Sequence, residues 1–252
     1  MIWLIGGTSQ SSWVADRLST NGWPWFATVV TEAARRLYAP AARVLVSRLT
    51  RETLPDLLRC ERVRVVLDCS HPFAVEISRL AIDVCRELTI PYVRFERAAC
   101  THTENVLLPD IDALMAREWL MGERVLLATG SKDLWRWRDQ HHRRAVFARV
   151  LPSVQSIAAA SQAGFTQDRI IALRPPFSLE LERALWQHWQ IETVVTRASG
   201  SAGGEEIKSL LARELGVRLI VLERPLVSYP AVSEQWQVVE DFCRQALVVT
   251  SI

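Results

Sequence analysis

The sequence predicts an α/β protein made of two Rossmann-like lobes with parallel sheets. Short apolar runs alternate with longer segments of helical periodicity, and part of this pattern occurs twice along the chain. The 252 residues are 49% hydrophobic and 23% charged, a composition that excludes disorder, collagen and coiled coil. The length suits one large domain or two domains of roughly 100–130 residues.

The apolar runs and the periodic segments predict the elements in chain order. The predicted strands cover residues 2–6, 25–30, 64–68, 91–95, 124–128, 146–150, 170–173, 192–196 and 218–222. The predicted helices cover residues 11–21, 50–60, 73–88, 110–119, 154–163, 179–189, 203–215 and 231–246. Because a helix separates almost every pair of consecutive strands, the strands are expected to pair in parallel.

A repeat relates the two halves of the chain. The segment Arg86–Arg97 matches Arg213–Arg224 at an offset of 127 residues, and the turn Leu4–Thr8 matches Leu127–Ser131 at a slightly smaller offset. The lobes are therefore expected to divide near residues 98–110, and we also consider that the C-terminal helix crosses back. Paired lobes usually bind their ligand in the cleft between them.

Charge and cysteine usage exclude several classes of protein. The net charge is +2, from 30 basic and 28 acidic residues. Such a small net charge does not predict binding to nucleic acid or to an anionic membrane. The five cysteines lack CxxC spacing and predict free thiols in a reducing compartment. No apolar run approaches the ~20 residues of a membrane span, and the apolar start is too short for a secretory signal. We therefore expect a cytoplasmic protein.

No metal site is predicted, because four of the five histidines have no metal-ligand spacing. They are His102, His141, His142 and His188.

A glycine turn follows the first strand. Its glycines let the backbone approach a phosphate, and the next helix offers free N–H groups and the positive end of its dipole. The turn is not a full GxGxxG pattern, since Gln10 stands where the third glycine falls. It predicts either a cofactor phosphate site or a tight turn whose serines only cap the helix. The candidate cofactor residues are Gly6, Gly7, Thr8, Ser9, Gln10 and Ser11.

The end of the second strand bears on the choice between NADP(H) and NAD(H). A Rossmann site that prefers NAD carries an acid here, which binds the ribose hydroxyls. The strand ends at Thr31 instead, and Arg35 and Arg36 follow within reach of a 2′-phosphate. NADP(H) is therefore favoured, although the adjacent Glu32 keeps NAD(H) open and a solvated arginine pair is the alternative.

The strand at 64–68 leads into Asp68-Cys69-Ser70-His71-Pro72, at the sheet edge where α/β proteins bind ligands. We expect Ser70, His71 and Pro72 to contact the cofactor. His71, with Ser70, is the catalytic candidate, facing the nicotinamide or the substrate as a donor or proton source. Pro72 is expected near the first position of the next helix. In the alternative interpretation, Ser70 or His71 only caps that helix.

Two turns in the second half contain the only lysines among 30 basic residues. Codon bias explains the many arginines but not the location of these lysines. The second turn also holds three of the ten glycines, and such a loop forms an anion-binding cradle. The candidate anion-binding residues are Thr129, Gly130, Ser131, Lys132, Arg197, Ser199, Gly200, Gly203, Gly204 and Lys208.

Together these motifs resemble the precorrin-6A reductase family of cobalamin biosynthesis. The resemblance covers nearly the whole chain, and its most specific part is Asp68–Ala74 followed by the SGxxGG loop at Ser199–Gly204. The other matching segments are Gly6–Thr8, Arg94–Arg97, Thr129–Lys132, Arg149–Pro152 and Glu223–Pro225. The chain departs from the usual family pattern at Ser9-Gln10, Arg197 and Pro175, where an acid, a lysine and a glycine are more common.

The resemblance implies a reductase that transfers a hydride from NADPH, or NADH in some members, to one double bond of a corrin precursor, giving precorrin-6B or its cobalt form. Residues 1–104 would form the NADP(H)-binding lobe, and residues 105–252 the tetrapyrrole side of the cleft, where the anion-binding residues would hold substrate carboxylates. Both metal-free and cobalt-bearing substrates fit, and a monomer is compatible with the sequence.

Two other classes use part of the pattern. A non-catalytic NADP(H)-binding regulator would need the first lobe alone, so the loop at 199–204 and the two lysines count against it. A methyltransferase that binds S-adenosylmethionine would leave Arg35 and Arg36 without a purpose.

Overall fold

The computed structural model describes residues 1–98, 100, 105–116, 120, 123–139 and 145–248. The chain divides into two compact units, one of Met1–Ala98 with Leu226–Ile252 and one of Ala99–Pro225. Each unit contains a six-stranded sheet whose strand pairs are all parallel. The predicted α/β class with two Rossmann-like lobes is confirmed.

The strands and helices of the described residues are numbered in chain order. The strands are β1 (Ile2–Ile5), β2 (Trp25–Val29), β3 (Val44–Val46), β4 (Val65–Asp68), β5 (Tyr92–Phe95), β6 (Val106–Leu108), β7 (Arg124–Leu127), β8 (Ala145–Val150), β9 (Ile170–Ala172), β10 (Thr193–Arg197), β11 (Arg218–Leu222) and β12 (Val232–Ser233). The α-helices are α1 (Ser9–Thr20), α2 (Glu32–Arg35), α3 (Leu54–Cys60), α4 (Val75–Glu87), α5 (Ile111–Met115), α6 (Val154–Gln162), α7 (Leu179–His188), α8 (Glu205–Leu215) and α9 (Trp236–Val248).

The first sheet has the strand order β3-β2-β1-β4-β5-β12. Every residue of β1 and β4 is buried, as expected for strands covered by helices on both faces. The order reverses between β1 and β4, and an open α/β sheet binds its ligand at the carboxyl ends of the strands at this reversal. We call this place the first switch point.

The second sheet repeats this connectivity in the order β9-β8-β7-β10-β11-β6. Its strands β7 and β10 correspond to β1 and β4, so the repeat seen in the sequence is present in the fold. The carboxyl ends of β7 and β10 form the second switch point. The two sheets differ in the origin of the sixth strand, since β6 precedes the second repeat while β12 follows it.

Several predicted boundaries need correction. The predicted second lobe ran to residue 252, but β12 pairs with β5 and α9 packs against β4 and β5, so the C-terminal segment belongs to the first unit. The helix expected at 73–88 begins at Val75, and its N-cap is Ala74 with no side-chain cap. Pro72 therefore does not open this helix, and neither Ser70 nor His71 caps it.

Some of the sequence predictions fall outside the described residues. The last positions of the helix predicted at 110–119 and the residues His102, His141 and His142 are among them. Within the described ranges, no helix is long and apolar enough to span a membrane. The same ranges contain no cluster of His, Cys, Asp and Glu side chains suited to a metal ion.

Candidate functional site

The turn after β1 leaves no room for a side chain at Gly6. An added Cβ would lie 2.0 Å from the hydroxyl of Tyr38. That hydroxyl accepts the Gly7 N–H at 2.9 Å and lies 2.6 Å from Ser11 Oγ. Gly7 has φ +100°, a conformation that glycine adopts without strain. The Gly6 N–H donates to the Thr28 carbonyl at 3.1 Å, so the N–H groups of both glycines are occupied and the glycines serve to let Tyr38 approach the turn.

Thr8 and Ser11 form a capping box at the start of α1. Thr8 Oγ1 accepts the Ser11 N–H at 3.1 Å, and Ser11 Oγ accepts the Thr8 N–H at 3.0 Å. Thr8 and Ser11 therefore cap the helix, as the alternative interpretation of this turn predicted. The N–H groups of Ser9 and Gln10 find no acceptor in the described part of the chain. They lie at the positive end of the helix dipole and remain available to an anion.

The residues after β2 are exposed, apart from local contacts. Thr31 Oγ1 accepts the Ala34 N–H at 3.1 Å and so caps α2. Arg35 lies 3.9 Å from Glu32, and both side chains are mainly exposed. The Arg36 side chain makes no hydrogen bond or ion pair with the described residues. Glu32, Arg35 and Arg36 are therefore accessible to a ligand group of either positive or negative charge.

At the carboxyl end of β4, Asp68 is fully buried and accepts four hydrogen bonds. Its Oδ1 accepts from the Ser70 N–H at 2.8 Å and from Arg94 Nη1 at 2.9 Å. Its Oδ2 accepts from Ser78 Oγ at 2.6 Å and from the Tyr92 hydroxyl at 2.5 Å. Burial raises the pKa of Tyr92, so its hydroxyl keeps the proton that it donates. The carboxylate is thus satisfied inside the protein.

Arg94 is as buried as its partner, with 1% of its side chain exposed. Its Nη1 also donates to Ser70 Oγ at 3.0 Å, and its Nε donates to Glu96 at 3.2 Å. Burial lowers the pKa of Arg94, but the carboxylates of Asp68 and Glu96 reverse this effect and raise it. The guanidinium stays charged and binds Ser70 from the core side.

His71 lies in the turn between β4 and α4, beside the buried Pro72. Its Nδ1 accepts the Phe73 N–H at 3.2 Å, and its carbonyl accepts the Ala74 N–H at 2.7 Å. A ring nitrogen that accepts a backbone N–H is unprotonated, so this geometry assigns the proton of a neutral ring to Nε2. The imidazole is half-buried and carries its donor on the side away from Phe73.

The second switch point contains a buried hydroxyl with no partner. Thr129, two residues beyond the end of β7, is 3% exposed, and its Oγ1 has no hydrogen bond in the structure as described. Gly130 has φ +79°, and nothing lies within 4 Å of the position of an added Cβ. Lys132 is exposed, and no described residue pairs with its ammonium group. Because leaving a buried hydroxyl unpaired costs about 1–3 kcal/mol, this turn is suited to a polar ligand group.

The glycine loop between β10 and α8 is closed on itself. The Gly200 N–H donates to Glu205 at 2.6 Å. Lys208 Nζ donates to the carbonyls of Gly203 and Gly204 at 2.8 and 3.1 Å, and burial lowers the pKa of Lys208 to about 8. The Gly200 N–H and two donors of Lys208 are therefore occupied within the loop, and the binding of an external anion by Gly200 and Lys208 stays a prediction.

The rest of this loop is packed tightly. Gly203 approaches Ser199 so closely that an added Cβ would lie 1.8 Å from Ser199 Oγ. Arg197, at the end of β10, donates to Asp133 at 2.6 Å, and the Arg224 Nε donates to the Ala198 carbonyl at 2.9 Å. These contacts hold the loop against the turn that carries Lys132.

Sequence reasoning missed the partners of Asp68 and the role of Tyr38. One signal for Arg94 was present, because Asp68 ends β4 and Arg94, one residue before the end of the adjacent parallel strand β5, is paired with it in register. Tyr38, Ser78 and Tyr92 gave no such signal, since they come from helical or loop positions or from the other end of β5.

Comparison with known proteins yields one family. The family model described as "Precorrin-6x reductase CbiJ/CobK" matches residues 1–244. A Synechocystis protein named cobalt-precorrin-6A reductase is 41% identical over 98% of this chain and 97% of its own, and a Priestia megaterium protein of the same name is 34% identical over 92% and 93%. A solved structure titled CobK precorrin-6A reductase shares the fold, with a TM-score of 0.80 at 24% identity over 97% of this chain and 96% of that one.

Proposed function

Because the chain belongs to the precorrin-6x reductase family, we propose that it reduces precorrin-6A or cobalt-precorrin-6A with a nicotinamide cofactor. The product is precorrin-6B or its cobalt form. The observation that carries the proposal is the 41% identity to a cobalt-precorrin-6A reductase over nearly the full length of both chains. The names of both relatives favour the cobalt-bearing substrate.

The first unit is the proposed cofactor unit. The positive φ of Gly7 and the open N–H groups of Ser9 and Gln10 at the start of α1 fit a dinucleotide phosphate. Arg35 and Arg36 would bind a 2′-phosphate, so NADP(H) is the proposed cofactor. When bound, the nicotinamide supplies the hydride.

His71 and Ser70 have separate proposed roles at the carboxyl end of β4. Ser70 is 3% exposed and bound to Arg94, so it orders the turn and does not itself exchange protons. His71 presents its Nε2–H, because its Nδ1 accepts the Phe73 N–H. Reduction of a double bond adds a hydride to one atom and a proton to its neighbour, and His71 orients the nicotinamide with this donor or supplies that proton. To supply it, the ring would act as the imidazolium, whose Nδ1 gives up the bond from Phe73, and would be left neutral after the transfer. Bulk water is the competing proton source.

The second unit is the proposed substrate unit. Thr129 Oγ1 and the ammonium group of Lys132 would bind carboxylate arms of the tetrapyrrole, with Gly130 and Ser131 leaving the turn open. Arg197, Ser199, Gly203 and Gly204 would shape this surface. The free cysteines among the described residues support a cytoplasmic location.

The proposal is tested by mixing the purified protein with metal-free or cobalt-bearing precorrin-6A and with NADPH or NADH. Nicotinamide absorbance and product mass are followed together. Cofactor oxidation with a mass gain of two hydrogens is the expected result, and its rate in the four mixtures gives the preferred cofactor and substrate. Binding of NADPH without reduction of either substrate would overturn the enzymatic proposal and favour a cofactor-binding regulator.

A further inference from the structure

A chain of hydrogen bonds runs from the His71 turn to the start of α1. Arg94 connects Ser70 to Glu96, as described above. Glu96 Oε1 accepts the Arg97 N–H at 2.9 Å, and Arg97 Nε donates to Gln10 Oε1 at 3.3 Å. Gln10 is one of the two residues whose N–H groups are open at the first switch point. The proposed cofactor site and the proposed catalytic turn thus share one polar network.

A contribution to the stability of the fold does not by itself explain why the protein contains this buried charged network. Arg94 and Asp68 are both at most 1% exposed on their side chains, and the cost of removing two charges from water offsets much of their attraction. Well-packed apolar residues of similar volume often stabilise a protein as much or more. The guanidinium group is planar and its N–H groups point in fixed directions, so it holds its hydrogen-bond partners in a fixed geometry.

The donors of Arg94 are divided between the two sides of the site. Nη1 binds Asp68 and Ser70 at 2.9 and 3.0 Å, while Nε and Nη2 bind the Glu96 carboxylate at 3.2 and 3.4 Å. Asp68 also binds the Ser70 N–H, so both the backbone and the side chain of the residue before His71 are held by this pair. Moving Arg94 would displace Ser70 and Glu96 together.

We propose that Arg94 is a positioning residue for the reduction, fixing the Ser70–His71 turn against the cofactor-binding start of α1. This inference rests on the proposed function. Arg94 is buried and would touch neither cofactor nor substrate. It acts through Ser70 on one side and through Glu96, Arg97 and Gln10 on the other.

Tyr92 offers a matched control. Its hydroxyl binds the same buried carboxylate as Arg94, but at the other oxygen, and it is 3% exposed. Removing this hydroxyl deprives Asp68 of one donor without touching the bonds to Ser70 or Glu96. The variants Arg94→Lys and Tyr92→Phe therefore both weaken the buried network, and only Arg94→Lys breaks the link between its two sides.

The test compares kcat, both KM values and Tm for the wild type, Arg94→Lys and Tyr92→Phe, together with the imidazole NMR signal of His71, assigned by its loss in His71→Ala. Arg94→Lys is expected to lower kcat between about tenfold and a hundredfold, as sub-ångström to 1 Å misplacement does, and to move the His71 signal. Tyr92→Phe is expected to lower Tm while kcat and the His71 signal stay as in the wild type.

A second variant keeps the test decisive if Arg94→Lys does not fold. Glu96→Gln leaves the Asp68–Arg94 pair intact at a site that is 14% exposed, and it should raise the KM for NADPH. The inference would be overturned if Arg94→Lys or Glu96→Gln folds and shows wild-type kinetics and an unchanged His71 signal. It would also be overturned if Tyr92→Phe lowers kcat as much as Arg94→Lys does. A wild type that reduces neither substrate counts against the proposed function instead.

Discussion

The ammonium group of Lys208 lies 2.8 Å from the carbonyl oxygen of Gly203, inside the glycine loop that precedes α8. Lys208 is the fourth residue of this helix, and its side chain reaches back over the first turn to the loop. The loop therefore carries its own cation, while the Glu205 carboxylate binds the Gly200 N–H. This arrangement makes the loop a preformed unit that encloses a buried, titratable amine.

Stability should rise with pH through the titration of Lys208. Burial, reinforced by Arg149 and opposed by Glu182 and Glu205, lowers its pKa from 10.5 to about 8. Between these values the unfolded chain binds the proton that the folded chain has lost, so higher pH favours folding. Between pH 7 and pH 9.5 the free energy of unfolding of the wild type should increase by about 2 kcal/mol relative to Lys208→Met.

Urea denaturation at several pH values measures this difference. The exposed Lys132 provides the control, because Lys132→Met should follow the wild-type pH dependence. Parallel stability curves for the wild type and Lys208→Met would show that Lys208 titrates as an ordinary lysine.

Gly6→Ala should weaken NADPH binding by about tenfold. The new Cβ displaces the Tyr38 hydroxyl from Gly7 and Ser11, which disturbs two hydrogen bonds of about 1 kcal/mol each in the turn. The double variant Gly6→Ala with Tyr38→Phe removes the oxygen at 2.0 Å and leaves a ring carbon at 3.1 Å. It should recover part of the affinity in a fluorescence titration with NADPH. A double variant that binds no better than Gly6→Ala would rule out this clash as the cause.

All nine strands predicted from the sequence are present, because each contains a cluster of apolar, mostly β-branched or aromatic residues that are largely buried. The three strands that escaped prediction, β3, β6 and β12, are edge strands of two or three residues. Their pairing depends on a neighbour rather than on their own side chains, and Val232 of β12 is even 54% exposed. Edge strands of two or three residues are too short for a periodic hydrophobic pattern to be recognised in the sequence.

The site was predicted in part, for similar reasons. The sequence indicated which turns meet at the carboxyl ends of the strands, because parallel topology alone brings them there. It did not indicate which polar groups satisfy one another. The donors to Asp68 come from 2 to 26 residues away, and Lys208, which was expected to bind an external anion, donates to carbonyls of its own loop.

Arg36→Ala should raise the KM for NADPH about tenfold and leave the KM for NADH unchanged, since only NADPH offers a 2′-phosphate and a hydrogen bond to a charged group contributes about 1.5–3 kcal/mol. Initial rates with each cofactor measure the effect. Arg86→Ala is the matched control, because Arg86 is also exposed and lies in the last turn of α4, away from the carboxyl ends of the strands. If Glu32→Gln instead weakens NADH binding and Arg36→Ala has no effect, NADH is the cofactor.

Thr129→Val should stabilise the free protein slightly and weaken substrate binding. The buried hydroxyl of Thr129 has no partner within the described residues, so replacing it with a methyl group removes a cost of about 1 kcal/mol. Thermal unfolding and the KM for the tetrapyrrole measure the two effects. In the control Thr193→Val, the lost hydroxyl donates to Glu123 at 2.5 Å, and this variant should lower Tm without changing that KM. A lower Tm in Thr129→Val would indicate that its hydroxyl is already bonded.

His71→Ala should lower kcat by about a hundredfold, the lower range for loss of a positioned acid, while the dissociation constant of NADPH changes little. The backbone bond from Phe73 to Nδ1 holds the ring in one orientation with its proton on Nε2, so the loss falls on the reacting end rather than on the phosphate site. Stopped-flow turnover and a cofactor titration separate the two quantities, and His188→Ala, at an exposed position, controls for removal of an imidazole. If turnover in His71→Ala equals that of the wild type, the proton comes from water and the turn that Arg94 holds serves only to shape the site.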